Sequence, residues 1–472
     1  MAMSVSGLVN GLDVPTIVSQ LMQSESIPQQ QLQSQLTTVQ VQASTYRSIN
    51  TKFSSLLAAA QAMTSAGTWN ATTATSSASS VGVAATSTAQ AGSVSFTVTQ
   101  TAAAQSMITN LTTPWTSTTA AYGLSVPLTV TDTSGKTLGQ VNPTGTGTGG
   151  AVTLGDVVTA INGTAALGLT ATPVQVSQGN YQLQITANNT GLANKFSLSD
   201  TSAFSTVTTA LDAQISVGTT NPYTVTSSTN TFTGFMPGVT LTVSQKEPNP
   251  VTVAVAADPQ SVGTKMQALV DAANAALSEV SKDTDTGMGS STSSGKAGPL
   301  AGDYGMQSLA SKVLSVVSNS VGKLGSPAQI GLQLNSDGTI KFTQSTFVAA
   351  LKTNPALARQ LVSGIPAQPA VGSTPATAAV PGIAAQLVTL ATSATDSVTG
   401  SLITLAKGED SQAKNLQSQI ADWTVRLTAR QQQLTTQYSN LQTMLSSLQN
   451  QQSWLSSVLG TISSSSSSSK SS

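Results

Sequence analysis

The sequence predicts an α+β multidomain chain, with terminal helices paired as a coiled-coil or helical-bundle stem and β-rich subdomains inserted between them as a head. Three observations carry that prediction. Apolar residues recur every seven positions near both ends, which is the period of a helical seam. Between about Ala71 and Pro250 the period falls to two, the mark of half-buried strands. The length of 472 residues also exceeds one hydrophobic core, since about 150 residues per domain implies about three domains.

At the N-terminal end, Asp13 has the chemistry of a helix N-cap and Pro15 suits a first turn. The apolar stripe Ile17, Val18, Leu21 and Met22 follows. Pro28 either interrupts this helix or starts the next, and Ser26 with Gln29 has the spacing of a capping box. From there Leu32, Val39, Tyr46, Phe53 and Ala60 form a heptad row, with Leu36, Ala43 and Leu57 interleaved and Asn50 as the polar exception.

The middle of the chain alternates. Val94, Phe96 and Val98 are separated by Ser and Thr, as are the pairs Leu128/Val130, Leu183/Ile185 and Leu241/Val243, and Val251, Val253 and Val255 continue the pattern. Turn-forming clusters such as Asn142-Pro143, Pro237-Gly238 and Pro248-Asn249-Pro250 punctuate these runs, so β-sandwich or barrel-like subdomains are expected. One helix interrupts them at Leu154, Val157, Val158 and Ile161. Helical spacing returns with Val262, Met266, Leu269, Val270, Ala273 and Leu277, and again with Leu309, Val313, Leu314 and Val317. Asn335 to Gly338, between Leu332/Leu334 and Ile340/Phe342, reads as a hairpin turn.

The C-terminal seam is the cleaner one. Ile420, Leu427, Leu434, Leu441, Leu448 and Leu455 are spaced by seven without a break. The second seam position mixes Trp423, Tyr438, Leu445 and Leu459 with Gln431 and Gln452. At about 1.5–3 kcal/mol per fully buried side chain, such a row does not stay in water unpartnered. The flanking positions are Gln, Ser and Thr in place of the Glu/Lys pairs that fix partner and register, so the seam is adhesive and poorly specified. A low-complexity serine run from Ser463 closes the sequence.

Composition removes whole classes of function. Charged residues are 8% of the chain, Lys+Arg and Asp+Glu are each 18, and the net charge is zero. That excludes a large basic surface for nucleic acid, and a charge near zero favours self-association. Cysteine and histidine counts are both zero, which removes disulfides, thiol nucleophiles, Cys/His zinc sites and imidazole bases. No cofactor is expected. Met1 to Leu12 has neither basic residues nor an apolar core, and no run of about 18 apolar residues occurs. The expectation is therefore export without a cleaved signal peptide and no membrane span.

Three motifs have the outline of chemical sites. Gly145-Thr-Gly147-Thr-Gly149-Gly150 matches a dinucleotide pattern, but Asn142-Pro143 breaks any preceding strand and no acidic residue lies between 157 and 199, so a turn is favoured. Asp283, Asp285 and Gly287 hint at a calcium loop whose twelfth position, Ser294, lacks a carboxylate, so a linker between helices is favoured. Asp303 and Asp337 are lone carboxylates that nothing in the sequence brings together. The chain reads as structural, not as an enzyme.

Several segments together resemble the flagellar hook-associated protein 2 family, the filament-capping proteins. Gly11-Leu-Asp-Val14, Ile17-Val18-Ser-Gln-Leu21-Met22 and Glu25 followed by Pro28 are similar to its N-terminal signature. Tyr438-Ser-Asn-Leu441-Gln-Thr-Met444, through Leu448 to Trp454-Leu455, is similar to its closing helix. Between them, in the family's order, stand Val98-Thr-Gln100 with Ala102 to Gln105, Tyr181-Gln-Leu183 with Thr190-Gly191, and Pro237-Gly238-Val239-Thr-Leu241-Thr-Val243. Gly298-Pro-Leu300-Ala-Gly-Asp303, Ile330-Gly331 and Asp337-Gly338-Thr339 follow. Leu154 to Asn162 resembles the short helix of an insertion motif shared with flagellins.

The resemblance implies an oligomeric cap at the distal tip of an extracellular bacterial flagellum, promoting the folding and insertion of exported flagellin and preventing its loss. The implied partners are other copies in a homo-oligomeric ring (a pentamer ahead of other numbers), flagellin and the filament tip, hook–filament junction proteins, and the flagellar type III export apparatus with an export chaperone. The expected division is a terminal leg of 1–35 with 440–472, a helical-bundle domain of 36–75 with 255–439, a β-rich head domain of 76–110 with 205–254, and an outer β-rich domain of 111–204. Self-association and filament contact are assigned to the seams Leu32, Val39, Tyr46, Phe53, Ile420, Leu427, Leu434, Leu441, Leu448 and Leu455. The alternative from another class is a secreted or surface adhesin, with the β-rich head binding glycans or host proteins.

Overall fold

In a computed structural model the structure describes residues 13–287, 296–370 and 376–467. Gly11, Leu12, Ser294 and the end of the serine run lie outside the described residues. The chain forms two compact units, residues 1–64 with 264–472 and residues 65–263.

The helical unit begins where Asp13 accepts a hydrogen bond from the Thr16 N–H at 3.3 Å, starting α1 (Val14–Glu25). The capping box expected at Ser26 does not form. Ser26 keeps helical dihedrals, and its hydroxyl donates back to the Gln23 carbonyl, so α2 (Ile27–Thr64) follows after a single-residue break with Pro28 in its first turn. The Gln29 amide is used instead across the stem, donating to Thr424 Oγ1 at 2.7 Å.

Numbering follows chain order, so α3 (Ala66–Trp69) and α4 (Leu154–Gly163) belong to the other unit. The helical unit continues with α5 (Pro259–Thr284), α6 (Tyr304–Ser318), α7 (Gln344–Thr353), α8 (Pro355–Ser363), α9 (Ile383–Thr395) and α10 (Ser401–Ser467). Helices α2, α9 and α10 pack on one another. At about 1.5 Å per residue the 67 residues of α10 extend roughly 100 Å. Its start is set by Gly400, where a Cβ would lie 2.4 Å from the Asp396 carbonyl oxygen.

Two short hairpins decorate this unit. Asn335 to Thr339 turns the chain between Leu332–Leu334 and Ile340–Phe342 as the sequence predicts, with Gly338 at φ +80°. The Asn274 side chain both donates to and accepts from the Ile340 backbone at 2.8 Å, tying the hairpin to α5. Gly364–Ile365 pairs with Val380–Pro381 in the other.

The β-rich unit holds two cores. Strands β1 (Thr72–Ser76), β2 (Val81–Ala85), β3 (Gly92–Gln100), β4 (Ser106–Thr109), β5 (Leu128–Asp132), β6 (Thr137–Val141), β7 (Leu169–Ser177) and β8 (Asn180–Ala187) come first. Strands β9 (Phe196–Leu198), β10 (Phe204–Thr208), β11 (Ala213–Val217), β12 (Tyr223–Ser227), β13 (Thr231–Met236), β14 (Val239–Val243) and β15 (Glu247–Ala257) complete it. A five-stranded sheet β1-β15-β3-β11-β12 and a three-stranded sheet β13-β14-β2 enclose Phe96, Val98, Ile215, Leu241, Val251 and Val253. A four-stranded sheet β10-β4-β8-β7, a three-stranded sheet β6-β5-β9 and α4 enclose Leu128, Leu154, Val157, Ile161, Leu183 and Ile185.

The strand residues among these, Ile215 apart, are the ones whose period-two spacing marks strands, and their side chains turn inward as that period requires. Two details depart from the expected boundaries. Strand β1, Thr-Thr-Ala-Thr-Ser, joins the five-stranded sheet although it has no large apolar residue to announce it. Strands β4 and β10 pair with each other in the outer sheet, so the inserted part begins earlier and ends later than sequence alternation indicates.

Candidate assembly surface

Antiparallel pairing of α1 and α2 with α10 builds the seam. Arg47 bonds Asp410, Gln29 bonds Thr424, and the Glu25 carboxylate accepts from Arg430 Nε at 3.0 Å. Leu32, Leu36 and Val39 pack with Ala413 and Leu416 between the first two ties, and Val14, Val18 and Met22 pack with Leu434 and Tyr438 beyond the third. The polar ties set the register, and the apolar layers supply most of the attraction.

The ten seam residues expected to meet other molecules divide into three groups. Val39, Tyr46, Phe53 and Leu434 are buried inside this chain, Phe53 at 0% exposure. This corrects the sequence expectation, because a side chain enclosed by its own unit has no surface left to offer. Leu32, Ile420 and Leu427 are half-buried along the same seam. Leu441, Leu448 and Leu455 are exposed at 44%, 53% and 55%.

The buried half is wider than a two-helix seam. Ile49, Leu56 and Met63 form a second heptad row on α2, each at 0% exposure, beside Tyr46, Phe53 and Ala60. Sequence reasoning passed over this row, although its spacing of seven, offset by three from Tyr46, was visible. It exists because α9 also packs against α2. Within this core the Tyr46 hydroxyl donates to Asp303 Oδ2 at 2.8 Å, and burial followed by the Asp303 carboxylate pushes the phenol well above its ordinary range. Asp303 also caps α6 through the Gly305 and Met306 N–H groups. The Asn50 side-chain oxygen is buried without a partner.

The lone carboxylates weighed for chemistry are spent on local structure. Asp337 accepts from the Thr339 N–H and hydroxyl in the hairpin turn. Asp283 ends α5 almost fully buried, and burial raises its pKa. Its backbone oxygen receives the Leu300 N–H at 2.8 Å, and a Cβ on Gly298 would sit 2.3 Å from that oxygen, which explains glycine in Gly298-Pro-Leu300. Among the described residues no group of three or more carboxylates is placed to hold a metal ion.

The glycine run is a clasped turn. Asp156 accepts from the Thr146 hydroxyl at 2.7 Å and from the N–H groups of Thr146 and Thr153, which hold its carboxyl well below the usual range. A Cβ on Gly145 would fall 2.1 Å from the Gly150 carbonyl oxygen, so the loop closes on itself and leaves no cradle for a phosphate.

Below Leu434, helix α10 meets α1 once more at Tyr438 and then runs on to Ser467. Leu441, Met444, Leu448, Trp454, Leu455 and Leu459 are all exposed, and 431–469 contains no Asp, Glu, Lys or Arg. Met444 and Trp454 widen the arc beyond the two seam rows read from sequence, as a helix needs when it packs between more than one neighbour.

Comparison with known proteins decides what kind of stem this is. A family model described as the flagellar hook-associated protein 2 C-terminus matches residues 210–450, just over half of the chain, and one described as the N-terminus matches residues 10–105. The chain belongs to the flagellar hook-associated protein 2 family. A lateral flagellar hook-associated protein 2 of Vibrio parahaemolyticus is 29% identical over 231 residues, covering 46% of this chain and 51% of that relative. A flagellar hook-associated protein 2 of Escherichia coli is 27% identical over 225 residues, covering 43% and 48%. The chain thus matches these relatives over about half of their length. A crystal structure of the flagellar cap protein FliD from Escherichia coli covers 78% of this chain and 99% of its own, with a TM-score of 0.56 at 24% identity, which shows a shared fold. The hook-associated protein 2 relatives lend no support to the adhesin alternative.

Proposed function

We propose that this chain is a subunit of the oligomeric cap at the distal tip of a bacterial flagellum, outside the cell, where it promotes folding and insertion of exported flagellin and prevents its loss. The observation that carries this reading is an uncharged stretch of α10 on which Leu441, Met444, Leu448, Trp454, Leu455 and Leu459 are exposed, in a member of the hook-associated protein 2 family. The terminal helices act as legs that enter the filament end, and the β-rich unit acts as the plate of a homo-oligomeric ring. The four-part division of the chain, with its inserted outer part widened to take in β4 and β10, and its ring size, a pentamer first, belong to this proposal. So do its other partners, namely hook–filament junction proteins, the type III export apparatus and an export chaperone.

The chemistry fits the task. A leg that meets successive, non-identical lattice positions benefits from an interface with few register-fixing charges, because any buried charge would reject most positions. Work of this kind is done by binding and needs neither a catalytic group nor a cofactor.

The test is the triple variant Leu441→Gln, Leu448→Gln, Leu455→Gln, introduced into a flagellated strain that otherwise lacks its cap protein. The expected outcome is loss of swimming with flagellin released as monomer into the medium, while the purified variant keeps the circular dichroism of the parent. Filaments of normal length and number in that strain would overturn the proposal.

A further inference from the structure

We propose that β12 is a homodimerisation edge, in which Tyr223–Ser227 of one copy pairs antiparallel with the same strand of a second copy about a two-fold axis at Val225. A two-fold contact closes on itself and cannot propagate a ring, so this contact is separate from the stem contacts above and goes beyond the cap reading.

The argument starts from how the other sheet edges of this unit are blunted. Strand β7 carries Pro173 and a register shift at Gln175/Ser177. Strand β10 is shifted between Thr206 and Thr208, and β13 between Thr233 and Met236. Strand β6 has the extra residue Leu138 opposite Val130/Thr131. Strand β9 is three residues long and follows Lys195. Strands β1 and β2 pack beside each other, with the Thr72 hydroxyl bonded to the Thr86 carbonyl at 2.8 Å. Each device is a known defence against unwanted strand addition.

Strand β12 carries no proline, no charged residue and no register shift, and it lies near β13 only as the strand that residues 228–230 join it to. It pairs with β11 in unbroken register from Tyr223↔Val217 to Ser227↔Ala213, and its other side is the end of the five-stranded sheet. Alternate N–H and C=O groups of a strand so placed point outward and unpaired. Tyr223, Thr224 and Thr226 are exposed, while Val225 leans on the core.

The occupant follows from the sequence of the strand itself. Tyr-Thr-Val-Thr-Ser is close to symmetric about its centre, so self-pairing sets Val225 against Val225, Thr224 against Thr226 and Tyr223 against Ser227. β-Branched and Thr–Thr pairs of this kind are favourable across strands. Residues 213–245 contain no charged side chain, so bringing two copies together places no like charges opposite one another. The product is a continuous ten-stranded sheet.

The chain has no cysteine, so introduced thiols report on this contact alone. In the full chain, Thr224→Cys with Thr226→Cys should oxidise to a covalent dimer whose peptides join position 224 of one copy to position 226 of the other. The rate should be at least about tenfold above that of Ser205→Cys with Val207→Cys on the shifted edge β10, since directly opposed Cα atoms at about 4.5–5.5 Å suit a disulfide. Equal rates would overturn the proposal. As a second measure, amide exchange of Tyr223–Ser227 in the unaltered chain should slow with rising protein concentration, and exchange independent of concentration would overturn it too. Both readouts leave motility untouched, so failure here is distinguishable from failure of the cap reading.

Discussion

Phe53 and Leu448 obey the same seven-residue rule in the same helical unit, yet one is at 0% exposure and the other at 53%. The difference lies in what each helix meets. Around Phe53, helices α9 and α10 of the same chain close over α2, and the apolar rows are consumed in a core of native density. Around Leu448 the described chain supplies no second helix. Periodicity therefore states that a face must be covered, and only topology states whether the cover comes from the same molecule.

The contrast is broken most severely at the buried end. Phe53→Ala should cost about 3–5 kcal/mol, the usual range for emptying an aromatic site in a core. Urea unfolding followed by helical circular dichroism measures it, and a cost below about 1 kcal/mol would show that the two halves are packed alike.

A smaller effect is expected where a charge is enclosed. Burial raises the pKa of Asp283, with Glu279 adding to the rise and Lys282 opposing it. The folded chain therefore holds that proton more tightly than the unfolded chain, so the ionised carboxylate costs stability above its raised pKa and the cost fades as pH falls through it. Asp283→Asn should raise the urea midpoint at neutral pH, with the gain shrinking towards acid. A gain that stays constant with pH would contradict this. Glu279 has the opposite sign, because the Ser48 hydroxyl lowers its pKa, and its contribution is lost as pH falls through that lowered value.

The smallest effect is expected at the open end. The triple variant Leu441→Gln, Leu448→Gln, Leu455→Gln should change the unfolding free energy of the isolated chain by no more than about 0.5 kcal/mol, as solvent-facing substitutions do. A loss comparable to that of Phe53→Ala would mean that these side chains are covered within the chain after all.

Much of the fold was legible because its signals are local. The cap at Asp13, the helix at Leu154, Val157 and Ile161, and the turn at Asn335–Gly338 each rest on a few neighbouring residues whose chemistry has one good solution. The strand β1 was illegible because Thr72–Ser76 becomes a strand only by pairing with Val253–Ala257, far along the chain. The candidate surface was half legible for the same reason. The row Ile420 to Leu455 is plain in the sequence, but that α2 is already covered within the same chain, Val39 by Ala413 and Leu416 of α10 and the wider face of α2 by α9, is set by the tertiary arrangement, which no heptad announces.

The unbroken course of α10 has a mechanical consequence. A helix advances by about 100° per residue, so everything beyond Leu434 is fixed in phase to the bundle like the far end of a crankshaft. Removing one residue near Gln437 swings the lower apolar face about a quarter-turn aside. Removing seven shortens the shaft by about 10 Å while leaving that face nearly where it was.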